Sequence, residues 1–427
     1  MEAVVPLGGA ALVVARVRLD DGQEDHYALP LATTAAPVDV LAEPTFARSL
    51  LDVMTTGARV RGAAGAISGR PTSAALRDVS DDVIRGLGGE QSNTSIAVGD
   101  LLVLKQFRRL RPGINPEEEI TRFLTERTPF RHAPRLMGAL AFEPSVGEAA
   151  ALAVAHEFVA GAEDGWHWML AELRTLATRF GATACVVDDL RRGAAASLGA
   201  LRRLGERAGQ LHVALASDRR DPDFAPEPIV EDDIRGWAEG VHRQIEAARS
   251  ALGGRLPIEV PDVAFALAGL IGTMKIRQHG DFHLGQTLYR RADADFTIVD
   301  FEGEPLRPLA ERRRKHAAMR DVAGLRRSIS YAAAAEPDGS GAPWREIWEA
   351  EGQRAFVDGY RTATRRQCFI PATPAAFEGA VAAFELEKAA YEIVYEASQR
   401  PAWVAIPVRG LVSAAARLRV AGSSASA

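Results

Sequence analysis

The chain has 427 residues, 47% of them hydrophobic and 25% charged, and a net charge of -5. That length exceeds one compact core and suggests two or three domains, while the composition is that of a globular protein. No Lys/Arg block is long enough for a nucleic-acid footprint, the densest being Arg312-Arg313-Arg314-Lys315, and no apolar run reaches the ~20 residues that span a bilayer. Cys185 and Cys368 lie far apart without metal-like spacing, as expected of thiols in a reducing compartment. The amino terminus lacks a basic leader region, so a cytoplasmic location, without membrane or nucleic-acid partners, is expected.

Residues 10–19 and 25–31 read as strands joined by the turn Asp20-Asp21-Gly22, and residues 43–55 have helical spacing. Residues 1–85 are therefore expected to form a small α+β cap with no cluster of chemically active side chains. A polar, glycine-bearing turn with Ser92, Asn93 and Thr94 follows, and then a strand that carries Lys105. Backbone amides and these side chains would suit phosphate oxygens, and the lysine would reach the same anion. Taken alone, such turns are common and the lysine would serve equally at a surface. The next helix opens with Glu117, Glu118 and Glu119, where carboxylates favour the positive end of the dipole. Of the three, Glu119 shares a face with Phe123 and is expected to pair with Lys105.

Residues 151–159 form an apolar strand that breaks at Ala160-Gly161, a natural hinge, with main-chain groups near Glu157 and Val159 open to a planar base. Downstream, helical spacing dominates residues 166–180, 190–215, 232–249, 262–275, 344–366 and 374–398. His212 is expected to be a core or capping histidine. The division expected is 1–85 cap, 86–160 amino-terminal lobe and hinge, and 161–427 helical lobe. Residues 335–342 read as a loop, and the tail 421–427 as disordered.

The most informative stretch is residues 278–286, Gln-His-Gly-Asp-Phe-His-Leu-Gly-Gln, answered by Val299-Asp300-Phe301-Glu302. The residues between them have the pattern of a β-hairpin, which carries its two ends back to one place. Asp281, Gln286 and Asp300 would then converge, offering one carboxylate for an acceptor hydroxyl and two oxygen ligands for magnesium, as phosphoryl transfer requires. An ordinary turn with solvated acids is the alternative, and three oxygen ligands at matching offsets argue against it. Tyr391 and Tyr395 lie one helical turn apart, with Glu396, Gln399, Arg400 and Trp403 beyond them. Aromatic rings of this kind stack on sugars while the polar groups bond hydroxyls, and core packing explains the rings equally well.

These residues together resemble a known family. Residues 89–95, 112–116, 157–166, 279–286, 300–305 and 320–324 are similar to the bacterial maltokinase-like group, within the aminoglycoside-phosphotransferase and protein-kinase-like superfamily, over roughly residues 86–410. The resemblance implies an α+β, two-lobed protein-kinase-like fold, ATP bound between the lobes and an acceptor sugar in the helical lobe. It implies Asp281 as base, Gln286 and Asp300 as magnesium ligands and Lys105 on the phosphates. Typical maltokinases begin with an Arg/Trp-containing tract, whereas the first tryptophan here is Trp166. In that respect the chain looks like actinobacterial glucosamine kinases, which phosphorylate an aminosugar at its 6-hydroxyl. An ammonium group on the sugar calls for carboxylates, and Glu302, Glu304, Glu392 and Glu396 are available, with His283 inside the central motif. The expected activity is thus an ATP- and magnesium-dependent glucosamine kinase acting as a monomer. Maltose 1-phosphate formation, aminoglycoside phosphorylation and a non-catalytic sugar-binding protein are the alternatives.

Overall fold

The computed structural model describes residues 2–424 apart from 21, 35–37, 75–82, 89–92, 182–184, 306 and 336–341. The chain divides into two compact units, Met1–Ala160 with Asp300–Arg312, and Gly161–Val299 with Arg313–Ala427.

The first unit contains β1 (Ala3–Leu7), β2 (Ala10–Arg18), β3 (Glu24–Ala32), α1 (Pro44–Thr56), β4 (Arg59–Gly62), β5 (Gly65–Pro71), β6 (Ile84–Leu87), β7 (Asn93–Val98), β8 (Leu102–Phe107), β9 (Arg109–Leu110), α2 (Pro116–Arg127), β10 (Leu136–Pro144) and β11 (Ala150–Glu157). Among the described residues, one sheet has the order β1-β2-β3-β9 and another the order β4-β5-β10-β11-β8-β7-β6, with antiparallel neighbours. Helix α1 starts with Pro44 in its first turn and ends at Gly57 in the left-handed region, φ 69°. Its apolar face, with Phe46, Leu50, Leu51 and Met54, joins one continuous core with β2, β5, β8, β10 and β11. Gly69 is where helix and sheet come closest: a Cβ there would lie 1.8 Å from the Val53 carbonyl oxygen. The sequence places a boundary at residue 85, whereas among the described residues β4 and β5 are strands of the same sheet as β8 and one compact unit runs from Met1 to Ala160. A local pattern cannot reveal this, because the pairing of β5 with β10 joins residues about seventy positions apart.

The second unit contains β12 (Ala162–Asp164), α3 (Gly165–Phe180), α4 (Val187–Gly193), α5 (Ala195–Leu215), β13 (Glu227–Pro228), α6 (Glu231–Ala251), α7 (Val263–Ala268), β14 (Met274–Lys275), β15 (Thr287–Arg290) and β16 (Asp295–Ile298). After α8 (Leu309–Arg312), which belongs to the first unit, it resumes with α9 (Met319–Ala334), α10 (Pro343–Ala363), α11 (Pro374–Gln399) and α12 (Ala405–Ser424). The helix expected over 190–215 is two helices that meet at Ala194. The helix expected over 262–275 ends at Ala268, because Gly272 takes φ 88° and Met274 then pairs with Pro228 as a strand. The expected disordered tail is helical as far as Ser424, while 425–427 and most of the expected loop 335–342 lie outside the described residues.

The hairpin expected from the sequence is present. β15 and β16 pair from Thr287↔Ile298 to Arg290↔Asp295, and Tyr289 stacks on Trp168 of α3 with ring centroids 3.8 Å apart. Arg207 of α5 clamps Asp295 with both guanidinium arms, at 2.8 and 2.6 Å. These contacts fix the hairpin to the helices behind it. The Val299 N–H donates to the Gln286 carbonyl at 3.0 Å, which closes the mouth of the hairpin.

Candidate active site

In the first unit, Lys105 on β8 is half-buried and its ammonium pairs with three carboxylates: Glu117 Oε2 at 2.7 Å, Asp300 Oδ1 at 2.7 Å and Glu302 Oε1 at 2.5 Å. Burial alone would depress the lysine pKa, but the three acids outweigh it and hold Lys105 well above the usual range. Burial pushes Glu117 up to about 8, and the neighbouring Asp300 and Glu302 add to the rise against the pull of Lys105. Asp300 sits in the left-handed region at φ 64°, and Gly303 follows at φ 71°, so the chain after the hairpin turns sharply and sends Glu302 back to Lys105. The Asn93 side-chain amide donates to the same Glu302 oxygen at 2.7 Å, and Thr94 accepts from Arg108 at 2.8 Å. Ser92 lies outside the described residues.

The acid that reaches Lys105 is Glu117, which corrects the expectation of Glu119. Asn115 caps α2 by accepting the Glu117 N–H at 2.8 Å, and the Glu117 side chain reaches Lys105 on β8, whereas Glu119 is half-buried elsewhere on the helix. Glu118 bonds Arg70 and Arg122. Glu304, offered by the sequence as a partner for a sugar ammonium, is buried and bonded to Arg307, and Glu302 belongs to the lysine cluster. At the end of β11, the Glu157 N–H donates to the Arg135 carbonyl and the Phe158 N–H to the Leu101 carbonyl, both at 2.9 Å. Any planar base bonded here would therefore use other main-chain groups of Glu157–Val159 than those two amides. His156, just before, is buried with an unpartnered Nε2, and burial followed by the charge of Lys105 drives its pKa down to about 3.

In the second unit, the turn His279-Gly280-Asp281 is held from behind by Asp321 of α9, whose two oxygens accept the His279 N–H at 2.7 Å and the Gly280 N–H at 3.0 Å. Asp321 is itself bonded to His212 Nε2 at 2.9 Å, and His212 Nδ1 meets the Tyr360 hydroxyl at 2.8 Å. Burial would raise the Asp321 pKa, but the hydrogen bond and charge of His212, then His279 and the Gly280 amide, hold it below the ordinary value. His279 Nε2 lies 3.0 Å from the Val299 carbonyl and so donates, leaving Nδ1 to accept the Asp281 N–H at 3.4 Å. The turn is thus tied to both α9 and the hairpin strand that precedes Asp300. His283 caps the short turn Leu284–Gln286 by accepting the Gly285 N–H at 3.1 Å.

Helix α11 brings its aromatic-acidic face to the same unit. Asp281 Oδ1 accepts from Lys388 Nζ at 3.0 Å, and that ammonium lies 5.0 Å from the centre of the Tyr391 ring. Glu392 is clamped by Arg327 through Nε and Nη2 at 3.0 and 2.8 Å, both on one oxygen. Glu396 is buried, bonded by Arg400 at 2.9 and 2.6 Å and by the Tyr331 hydroxyl at 3.3 Å. Arg400 also lies over Trp403 and Tyr395, and Tyr331 stacks on Trp403, so these aromatic and charged groups form one surface. Gln399 is exposed and bonds Ser398. Lys388, Tyr331 and Arg327 escaped the sequence reading of this site, and Asp321 entered it only as part of the motif 320–324; Lys388 had a usable signal, lying three residues before Tyr391 on the same helical face.

No family model matches the chain. The chain is 29% identical over 409 residues to a glucosamine kinase of Streptacidiphilus jiangxiensis, covering 92% of this chain and 81% of that protein. It is 26% identical over 338 residues to a glucosamine kinase of Mycolicibacterium smegmatis, covering 74% and 76%. A solved glucosamine kinase in complex with glucosamine, ADP and inorganic phosphate superposes with a TM-score of 0.67 at 26% identity, covering 96% of this chain and 93% of that one. The chain is thus similar along most of its length to glucosamine kinases. That structure matches the mixed α+β fold of this chain, and both units fall within the matched length. Among the described residues, no helix is long and apolar enough to cross a membrane.

Proposed function

We propose that the chain transfers the terminal phosphoryl group of ATP to the 6-hydroxyl of D-glucosamine, with magnesium. The observation that carries this reading is the match along nearly the whole length to an enzyme whose structure holds glucosamine, ADP and phosphate, together with the presence of Asp281, Lys105 and Asp300 in bonded arrangements. Asp281 orients the acceptor hydroxyl and takes its proton as the oxygen–phosphorus bond forms and ADP leaves. Lys105, kept charged by its acids, is the cation for the nucleotide phosphates. Within the first unit, Asp300 would hold the metal. The fit is one of donor chemistry: Glu117, Asp300 and Glu302 offer carboxylate oxygens within 4.8 Å of one another, and hard oxygen donors suit magnesium. When bound, the metal supplies neutralising charge to the phosphoryl oxygens. The aromatic and charged surface of α11 around Tyr391, Tyr395, Glu396, Arg400 and Trp403 is assigned to the sugar. The reaction is assigned to the cytoplasm and to a single copy of the chain, which sedimentation of the purified protein checks.

ADP release measured against glucosamine, glucose, maltose and kanamycin tests the substrate, with the phosphorylated position read by NMR. Selective turnover of glucosamine with phosphate on O6 is expected; preferential turnover of maltose or kanamycin would replace the assignment. Asp281→Asn should lower kcat by about 10²–10⁴-fold with ATP still bound, as loss of a proton acceptor does.

A further inference from the structure

The reading above gives Asp281 its task but leaves a cation beside it without one. Lys388 reaches Asp281 Oδ1 at 3.0 Å, with both side chains largely covered, at 21% and 18% exposure. Its ammonium also lies over the Tyr391 ring, so the lysine is fixed by an ionic contact on one side and an aromatic face on the other. It is mounted in the middle of α11, a 26-residue helix packed on α6 and α9, not on a loop that could relax. The acid one turn further along, Glu392, has its own partner in Arg327.

We propose that Lys388 is the positioning residue for Asp281. Its charge-assisted bond pins one carboxylate oxygen so that the other is presented to the acceptor hydroxyl. This rests on the assignment of Asp281 as proton acceptor. A cation bonded to a base would be a handicap if the proton had to be removed early. In a loose phosphoryl-transfer transition state the hydroxyl keeps its proton until late, and the orientation of the carboxylate matters more than its basicity. The other titratable groups around the turn are His279 and His283 on its own segment, Asp321 behind it, and Tyr391 and Glu392 on α11; His279 bonds the Val299 carbonyl, His283 the Gly285 amide, Asp321 the His279 and Gly280 amides, and Glu392 the Arg327 guanidinium.

The test is a double-mutant cycle on the full chain with glucosamine and ATP. Lys388→Met should lower kcat about 10- to 100-fold, the scale of a misplaced reacting group, while KM for ATP stays within about twofold. Lys388→Arg, which keeps the charge, should recover most of the loss. In an Asp281→Asn background, adding Lys388→Met should lower the residual rate by less than about twofold, because the group it positions is already gone. Equal fold-losses in the two backgrounds, a rise in KM for ATP in place of the kcat loss, or no recovery with arginine would each overturn the proposal. If the residual rate of Asp281→Asn is too small to measure, the KM-against-kcat split and the arginine rescue decide. Retention of full turnover by Asp281→Asn is a different result and sinks the assignment of the base itself.

Discussion

His156 is a neutral histidine sealed beside a lysine, and its pH behaviour follows from that position. Its pKa is about 3 in the folded chain against the ordinary 6.5. Below pH 6.5 the unfolded chain binds a proton that the folded chain refuses, so stability from this residue is fully present above 6.5 and is lost as pH falls toward 3. The slope is about 1.4 kcal/mol per pH unit in that window. His156→Leu should therefore remove this contribution, making the stability of the first unit fall less (or rise more) than wild type as pH drops from 6.5 to 5 on top of the opposite slope from Glu117, measured by urea unfolding at several pH values. A wild-type slope that survives the substitution would refute the prediction. At this scale the sequence was informative where a residue type is scarce and uninformative where it is repeated. Lys105 and Asp281 stand out in their motifs, but Glu117, Glu118 and Glu119 differ only in the direction that each takes from the first turn of α2. That direction is a property of backbone geometry and leaves no mark on composition.

Between α5 and α10 the packing is set by what is missing from two helix interiors. A Cβ at Gly205 would lie 2.0 Å from the Phe356 carbonyl oxygen, and one at Gly359 would lie 2.0 Å from the Arg202 carbonyl oxygen. Glycine is ordinarily about 1 kcal/mol worse than alanine inside a helix, and here its lack of a side chain permits the close approach. Gly359→Ala should destabilise the chain by about 1–3 kcal/mol through overpacking, seen as a lower denaturant midpoint. Gly199→Ala, on the exposed side of α5 with nothing within 4 Å, should instead stabilise it by about 0.5–1 kcal/mol. Opposite signs from the same chemical change are the check; two losses would mean that helix propensity is not what Gly199 reports. Elements with a strong three-four pattern, such as α3, α6 and α11, were legible, as was the β15–β16 hairpin. The failures fall where a short-range break intervenes: Ala194 splits one expected helix, and Gly272 ends another early.

Across the whole molecule, the first unit is made from two pieces of chain, residues 1–160 and 300–312, and the second piece supplies two of the three acids on Lys105. A 1–160 fragment would keep Lys105 and Glu117 paired without Asp300 and Glu302. It should unfold at a lower temperature, and less cooperatively, than 1–160 joined through a flexible linker to 300–312, as followed by circular dichroism. Identical melting of the two would show that the returning segment adds nothing to the unit. This interruption was hidden in the sequence, because assigning a segment to a unit depends on contacts made across nearly two hundred positions. It also bears on how the chain is made. A ribosome delivers residues in order, at about 5–20 per second, so the stretch from Ala160 to Asp300 imposes a delay of roughly seven to thirty seconds. Throughout that interval the nascent first unit holds a lysine and a glutamate side by side, and its completion waits on the emergence of a five-residue turn, Asp300-Phe301-Glu302-Gly303-Glu304.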